Sequence, residues 1–155
     1  MTTLKIYYWD FHGGLENTRV LLKYLNVPYE EINPTQESWP ALKQSFIDGG
    51  FNFPNLPNLP MIEDGDYKLS ESKAIVSYLA EAKGDGTFAG KTPQDRGIIR
   101  QLEGVLDEAF NMLRLACMNP DYKTKIEEET KNPKFVRIAD RIERHLEDGR
   151  EYVLG

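Results

Sequence analysis

A chain of 155 residues, 40% of them hydrophobic and 28% charged, has room for one domain or two small ones with a buried core. Its 25 acidic and 19 basic residues give a formal net charge of −6, and without a basic excess to neutralise phosphates we expect no nucleic-acid partner. The longest apolar runs fall far short of the roughly 20 residues of a membrane-spanning helix, so we also expect no membrane span.

The first half of the chain alternates strand-like and helix-like patterns. Residues 4–9 (LKIYYW) are rich in strand-forming side chains, and a helical pattern follows over residues 15–26. Residues 29–32 (YEEI) predict a second short strand. Residues 33–60 are interrupted by prolines and glycines but contain many aromatic side chains, which predicts a long functional loop.

A β-hairpin and a helix complete this half. Residues 60–63 and 67–69 are strand-like and flank an Asp-Gly turn, and Glu71-Ser72 opens a helical pattern. A β-α-β crossover pairs its strands in parallel, whereas a hairpin pairs them antiparallel. The sequence therefore predicts an α/β domain with a mixed four-stranded sheet and helices packed on it.

The second half of the chain is helical throughout. The glycine-rich residues 83–87 predict a boundary between a domain over residues 1–86 and an all-α domain over residues 87–155. Apolar side chains recur at helical spacing from Ile98 to Cys117, so we expect this face to be buried, with Cys117 a core hydrophobe rather than a nucleophile. Because a single cysteine forms no internal disulfide, composition favours the cytosol.

The residues that could carry chemistry form no metal, nucleotide or triad motif. His12 and His145 are far apart, and no CxxC, GxSxG or glycine-rich phosphate-binding motif occurs, so we expect no metal cofactor. Taken singly, the features that remain have structural explanations such as core packing or helix capping. They are Tyr8-Trp9 ending the first strand, Trp39 with Lys43 in the loop, Asn58-Leu59-Pro60 before the hairpin, and Glu71-Ser72 at a helix start.

Taken together and in this order, these features resemble the cytosolic glutathione S-transferases, closest to their mu and sigma classes. Residues 8–13 (YWDFHG) match the mu-class start in spacing, residues 39–43 (WPALK) are more similar to the sigma class, and residues 53–57 (FPNLP) are mu-like again. The resemblance covers nearly all of the chain. It implies a thioredoxin-like N-terminal domain and a helical second domain, which is incomplete relative to a family that continues through several more helices.

The resemblance also implies how glutathione is held as a co-substrate. Tyr8 would donate a hydrogen bond that stabilises the glutathione thiolate, with Tyr7 as the competing phenol. Pro60 would be the cis-proline of the family, which turns the preceding backbone outward. Leu59, with Asn58 beside it, would then bind the cysteinyl part of glutathione through its main chain.

The resemblance implies that other residues bind the two ends of glutathione. Trp39 and Lys43 would receive the glycine carboxylate, with the lysine acting as a point charge. Glu71 and Ser72 lie at a helix start, where free N–H groups and the positive end of the helix dipole suit the γ-glutamyl carboxylate, and Glu71 would hold the ammonium group. Trp9 completes the expected glutathione-binding set.

Some positions leave alternatives open or depart from the family pattern. Asn55-Leu56-Pro57 repeats the pattern of Asn58-Leu59-Pro60 and is the alternative register, although the spacing to the following helix favours the latter. Phe53 resembles an aromatic residue that inserts into a partner subunit, which implies a homodimer. Arg100 stands where mu-class chains carry an acidic residue at the dimer contact, and Met118 where they carry a second active-site tyrosine.

The sequence thus favours a glutathione transferase that joins the glutathione thiolate to a small hydrophobic electrophile, with Tyr8 as the activator. The alternative is a non-catalytic, transferase-like subunit with a structural or interaction role, which Arg100 and the incomplete helical domain favour. A glutathione-dependent isomerase, like some sigma-class members, is a third reading that the sequence does not separate from the first.

Overall fold

The computed structural model describes residues 3–51, 56–86 and 88–147. The chain divides into two compact units, Met1–Ala89 and Gly90–Gly155. The boundary expected from the glycine-rich residues 83–87 lies close to this division. None of the helices that the structure describes is long and apolar enough to cross a membrane.

The described residues of the first unit form a mixed four-stranded sheet, as the sequence predicts. Strands β1 (Leu4–Tyr7), β2 (Tyr29–Ile32), β3 (Met61–Asp64) and β4 (Tyr67–Ser70) lie in the order β2-β1-β3-β4. Strand β1 pairs in parallel with β2 and antiparallel with β3, and β3 and β4 form a hairpin. The hairpin turn contains Gly65, whose φ of 65° is one that glycine adopts without strain.

Helices α1 (Glu16–Tyr24), α2 (Trp39–Asp48) and α3 (Ser72–Ala82) pack around this sheet. Helix α2 corrects the expectation of an irregular loop over residues 33–60. Pro40 lies in its first turn, where the backbone N–H that proline lacks would have no partner within the helix. The proline that suggested a loop therefore marks the start of a helix.

Side chains near the end of β1 alternate between two hydrophobic cores, because successive residues of a strand point to opposite faces of the sheet. Ile6 and Tyr8 belong to the core that contains buried residues of α1 and α3. Tyr7 packs instead with Phe46 of α2 and with Phe51. Tyr7, the last residue of β1, and Tyr8, which follows it, thus lie in different surroundings.

The second unit is helical over its described residues, with α4 (Pro93–Cys117), α5 (Tyr122–Thr130) and α6 (Pro133–Leu146). Thr92 and Asp95 form a capping box at the start of α4: the Thr92 hydroxyl accepts from the Asp95 N–H, and the Asp95 carboxylate accepts from the Thr92 N–H. The expected sequence of an α/β unit followed by a helical one is confirmed.

Helix α4 exposes much of the apolar face that we expected to be buried. Ile98, Val105 and Leu106 keep 46%, 37% and 45% of their surfaces exposed, while Ala116 is buried. Cys117 is exposed as well, so it is not a core hydrophobe. Helical spacing identifies an apolar face but does not supply a partner to cover it.

Candidate functional site

Tyr7, the last residue of β1, has its phenol group engaged inside the protein. Its hydroxyl donates a hydrogen bond to the Glu63 carboxylate of β3, and its ring packs edge-on against Phe46 with ring centres 5.3 Å apart. Burial, with the hydrogen bond and the charge of Glu63, raises the pKa of the Tyr7 phenol above its ordinary value. Tyr7 is therefore a neutral donor that already has its acceptor.

Tyr8 follows directly and has a different environment. Its side chain is 8% exposed, and its hydroxyl oxygen accepts a hydrogen bond from the backbone N–H of Gly14 at 2.9 Å. Among the residues that the structure describes, none accepts a hydrogen bond from the Tyr8 hydroxyl. Because a buried phenol ordinarily finds an acceptor, its hydrogen is available to a group bound beside it.

Gly14 is the point at which three segments of the first unit meet. A Cβ atom placed on Gly14 would lie 3.0 Å from the Ser72 Oγ, 3.2 Å from the Tyr8 hydroxyl oxygen and 3.7 Å from Cδ of Pro60. Gly14 therefore brings the end of β1, the residue before β3 and the start of α3 into one small region. The two adjacent glycines Gly13 and Gly14 are the sequence signal of this close backbone approach.

Pro60 immediately precedes β3 and is buried. The Leu59–Pro60 peptide bond is cis, as the resemblance implies for this proline. Leu59 is partly buried and packs against both hydrophobic cores, whereas Asn58 is exposed. In the alternative register Leu56 is 66% exposed and Pro57 is fully buried, while Asn55 lies outside the described residues.

The start of α3 carries an unusual backbone conformation. Glu71 occupies the N-cap position with φ of 78° and ψ of 118°, a region that residues other than glycine seldom adopt. No side chain of the described residues caps this helix, so Ser72 is its first residue and not its cap. The first-turn N–H groups and the positive dipole end are thus available to an anion.

Trp9 links this region to α2. Its ring lies edge-on to that of Trp39, with ring centres 6.3 Å apart, and both side chains are partly buried. Lys43 lies one helical turn beyond Trp39, so the two side chains leave neighbouring positions on the surface of α2. Since Tyr8 and Trp9 are consecutive, the sequence features expected to bind one ligand occupy adjoining parts of the first unit.

All of these site residues fall inside residues 4–81, which match the family model for the glutathione S-transferase N-terminal domain. The chain belongs to the glutathione S-transferase family. The four-stranded sheet of its first unit is the thioredoxin-like fold of that domain.

Curated relatives and a solved structure agree with this family. The class-mu 26 kDa glutathione S-transferase isozyme of Schistosoma japonicum is 34% identical over 135 residues, which are 86% of this chain and 59% of that protein. The class-mu 26 kDa isozyme of Schistosoma mansoni is 37% identical over 121 residues, 77% of this chain and 52% of that protein. The chain thus spans about half the length of the curated relatives it matches.

A glutathione S-transferase from Ascaris lumbricoides has a solved structure that aligns with a TM-score of 0.77. The sequence identity is 27%, and the alignment covers 99% of this chain and 73% of that one. The likeness extends over the helical unit as well as the thioredoxin-like one. An α/β unit followed by helices is therefore the arrangement that this chain shares with a glutathione S-transferase.

Beside Tyr8, this glutathione S-transferase family chain presents an aromatic side chain that the sequence analysis did not single out. Phe11 is 58% exposed, and its ring centre lies 5.4 Å from that of Tyr8.

The expected dimer residue, Phe53, lies outside the described residues. In the second unit Arg100 pairs with Glu103 on its own helix at 2.8 Å, and Met118 is 72% exposed. The described residues contain no cluster able to hold a metal ion.

Proposed function

We propose that this chain binds glutathione and lowers the pKa of its thiol for attack on a hydrophobic electrophile. The observation that carries the proposal is the Tyr8 hydroxyl, which accepts a hydrogen bond from the Gly14 N–H near Ser72 and Pro60 and has no acceptor for its own hydrogen among the described residues. Tyr7, the competing phenol, donates to Glu63 instead, which supports Tyr8 as the activator.

The chemistry of activation follows from the charge on sulfur. A free thiol has a pKa near 8.5, so a few per cent is thiolate at neutral pH. A hydrogen bond from the Tyr8 hydroxyl stabilises the thiolate, and the Gly14 N–H polarises the phenol oxygen so that it becomes a stronger donor. Lowering the pKa by two units requires about 2.7 kcal/mol, which is in the range of one charge-assisted hydrogen bond.

Glutathione would lie across the features around Gly14. The N-terminus of α3 at Ser72 would receive the γ-glutamyl carboxylate, and the Glu71 carboxylate would hold the ammonium group. The main chain of Leu59, between Asn58 and Pro60, would pair with the cysteinyl residue. This placement brings the thiol toward the Tyr8 hydroxyl.

The glycine end of glutathione would reach α2. Trp39 and Lys43 would hold its carboxylate, and the edge-on contact between Trp9 and Trp39 would fix the position of this helix start. The ligand would thus be bound by charge at both ends and by main-chain hydrogen bonds between them.

The electrophile would approach from the side of Phe11. Its exposed ring beside Tyr8 offers an apolar surface, which suits a small hydrophobic substrate. In the reaction the thiolate forms a carbon–sulfur bond; the electrophile either loses its leaving group with the bonding electron pair or takes up a proton. We further propose that the protein works in the cytosol as a homodimer through Phe53.

A non-catalytic, transferase-like role is the second candidate, and the second unit supports it. Met118, at the position expected for a second active-site tyrosine, carries no hydroxyl and is 72% exposed. Arg100 replaces an acidic residue and pairs within its own helix. Such a subunit would bind glutathione without turnover.

Binding and turnover separate the two candidates. The purified 155-residue chain is applied to immobilised glutathione, eluted with free glutathione and assayed with chloro-dinitrobenzene as the electrophile. Retention with turnover is the expected result. Retention without turnover selects the non-catalytic candidate, and a chain that is not retained rejects both.

A further inference from the structure

A network of polar side chains contacts the connection between β1 and α1. The Arg19 guanidinium of α1 donates to the Glu31 carboxylate of β2, to the main-chain oxygen of Phe11 at 3.1 Å and to the Glu16 carboxylate at 3.1 Å. The Arg19 side chain is 18% exposed and that of Glu31 25%. One side chain thus ties together a helix, a strand and the middle of the connection.

Asn33, just after β2, extends this network to the backbone of Tyr8. Its Nδ2 donates to the main-chain oxygen of Tyr8 and to the Glu31 carboxylate, both at 3.1 Å. The Tyr8 N–H in turn donates to the main-chain oxygen of Ile32 at 3.2 Å. The backbone of Tyr8 is therefore held on both of its polar groups by the end of β2.

We propose that Arg19 and Asn33 are positioning residues for the Tyr8 hydroxyl, acting through the main-chain oxygens of Phe11 and Tyr8. The inference rests on the proposed function, in which Tyr8 activates the glutathione thiol. Neither side chain is placed among the groups proposed to touch glutathione. On the path that leads from Tyr8 to Gly14, Asn33 holds the Tyr8 end and Arg19 holds the middle, at Phe11.

The need for such anchors follows from the connection itself. Residues 9–15 include Gly13, with φ of 91°, and Gly14, two residues with few backbone constraints of their own. The hydrogen bond from Gly14 to Tyr8 requires this segment to keep its place within about 0.5 Å, the tolerance of a working catalytic group. Arg19 supplies a fixed point at Phe11, three residues before Gly14.

The network keeps its charges over the pH range in which a thiol titrates. The hydrogen bond from Arg19 holds the pKa of the Glu31 carboxyl below its ordinary value, and the same bond raises the pKa of Arg19. Changes in the thiol titration of a variant therefore report lost contacts and not a change in the ionisation of this pair.

Two variants separate geometry from charge. Arg19→Lys keeps the positive charge but loses the planar fork that reaches Glu31 and Phe11 together. Asn33→Ala removes the donor to the Tyr8 oxygen with no change of charge. Lys83→Met is the matched control, because it breaks another partly buried ion pair of the first unit, with Asp64 at 2.6 Å, that has no hydrogen bond to the β1–α1 connection.

The readout is the pKa of the bound glutathione thiol, followed by the ultraviolet absorbance of the thiolate, with the glutathione Kd from calorimetry and the Tm of each protein. Both variants should raise the thiol pKa by about one unit, which is about tenfold less thiolate below the midpoint. Their Kd should stay within about twofold of wild type, because glutathione contacts are kept. Lys83→Met should leave the thiol pKa at the wild-type value, whatever its Tm.

Three results would overturn the inference. If Arg19→Lys, Asn33→Ala and Arg19→Met all titrate like wild type, the network serves stability alone. If Arg19→Met raises the thiol pKa while Arg19→Lys and Asn33→Ala do not, the charge of Arg19 acts through space. If the thiol on the wild-type protein titrates like free glutathione, the proposed function fails first, and this is visible without any variant. Should Arg19→Lys fail to fold, the neutral Asn33→Ala still decides.

Discussion

Gly14 binds the Tyr8 hydroxyl oxygen through its backbone N–H, and the same residue leaves no room there for a side chain. The hydrogen bond and the close approach have one cause. The Gly14 nitrogen lies 2.9 Å from the Tyr8 hydroxyl oxygen, which also brings the Gly14 Cα near the Tyr8 ring. The pair thus couples the shape of the β1–α1 connection to the orientation of a hydroxyl group.

The Gly14→Ala variant is expected to fold but to have a lower turnover rate. The added Cβ would lie 3.0 Å from the Ser72 Oγ and 3.2 Å from the Tyr8 hydroxyl oxygen, so one of these groups must move. We expect the bound thiol pKa to rise and turnover at neutral pH to fall about tenfold, which is about 1.4 kcal/mol. Steady-state assays and the thiolate titration measure both effects.

The control for this substitution is Gly104→Ala on α4, where an added Cβ has no atom within 4 Å. It should leave turnover unchanged and raise stability by about 0.5–1 kcal/mol, because alanine favours helix over glycine. Equal turnover in Gly14→Ala and wild type would show that the contact with Tyr8 has no part in activation.

Tyr8→Phe and Tyr7→Phe should have opposite consequences. Tyr8→Phe keeps the ring and removes the proposed donor, so the bound thiol pKa should rise and turnover fall by about ten- to a hundredfold. Tyr7→Phe leaves the Glu63 carboxylate without its donor, which should cost about 1–3 kcal/mol of unfolding free energy and leave the thiol pKa unchanged. Thiolate titrations and urea unfolding of both variants test this. If the thiol pKa rises in Tyr7→Phe and not in Tyr8→Phe, Tyr7 is the activator and the proposal for Tyr8 is wrong.

Ser72→Ala should weaken glutathione binding more than it changes the thiol pKa. Ser72 is the first residue of α3, where we place the γ-glutamyl carboxylate. Loss of one hydrogen bond to a charged group corresponds to about 1–3 kcal/mol, or roughly five- to 150-fold in Kd. Calorimetry measures it, with Ser77→Ala in the middle of the same helix as the control. A wild-type Kd for Ser72→Ala would contradict the placement.

Stability in acid should depend on Asp64. Burial raises the pKa of its carboxyl, but hydrogen bonds from Lys83 and Tyr78 outweigh burial and hold the pKa below its ordinary value. A carboxyl whose pKa is lower in the folded state stabilises the fold above the unfolded-state pKa of about 4 and loses this contribution as pH falls through the folded value. Urea unfolding from pH 2 to 7 should therefore show a shallower acid loss in Asp64→Asn than in wild type.

The contact between Asp64 and Tyr78 also predicts a loss of folding stability at alkaline pH. Burial, with the hydrogen bond to Asp64, raises the pKa of Tyr78 to about 12. A tyrosine whose pKa is raised in the fold stabilises it fully below the unfolded value of about 10 and loses this as pH rises through about 12. Tyr78→Phe should lack this alkaline step; an identical step in both proteins would rule out Tyr78 as its source.

The elements that sequence patterns predicted are those whose signal is local. Strand-forming runs and the Asp-Gly turn predicted the sheet, and the helix starting at Glu71-Ser72 was found within a residue. Helix α2 was missed because Pro40 was interpreted as a break, whereas its effect depends on its place in the first turn. The exposed face of α4 was missed because spacing predicts an amphipathic helix but not its partner.

The candidate site divides in the same way. Tyr8, Trp39, Leu59-Pro60 and Ser72 were predicted because a family pattern marks them in order along the chain. The contact of Gly14 with Tyr8 and Ser72 was not, because it joins segments almost 60 residues apart and involves a backbone group that no side-chain pattern encodes. Arg19 was missed as well, because its acceptors lie in the β1–α1 connection, on α1 and on β2.

The alternation of Tyr7 and Tyr8 makes the chemistry of this unit intolerant of insertions in its first strand. Strand β1 is paired on both sides, so its neighbours fix its register. One residue added within β1 would exchange the faces of the two tyrosines, directing the hydroxyl proposed to activate the thiol toward Glu63 and the other toward Gly14. A length change of two residues would keep each tyrosine on its own face of the sheet and would only shift its position along the strand. Mutational tolerance along β1 should therefore follow the parity of the insertion and not its size.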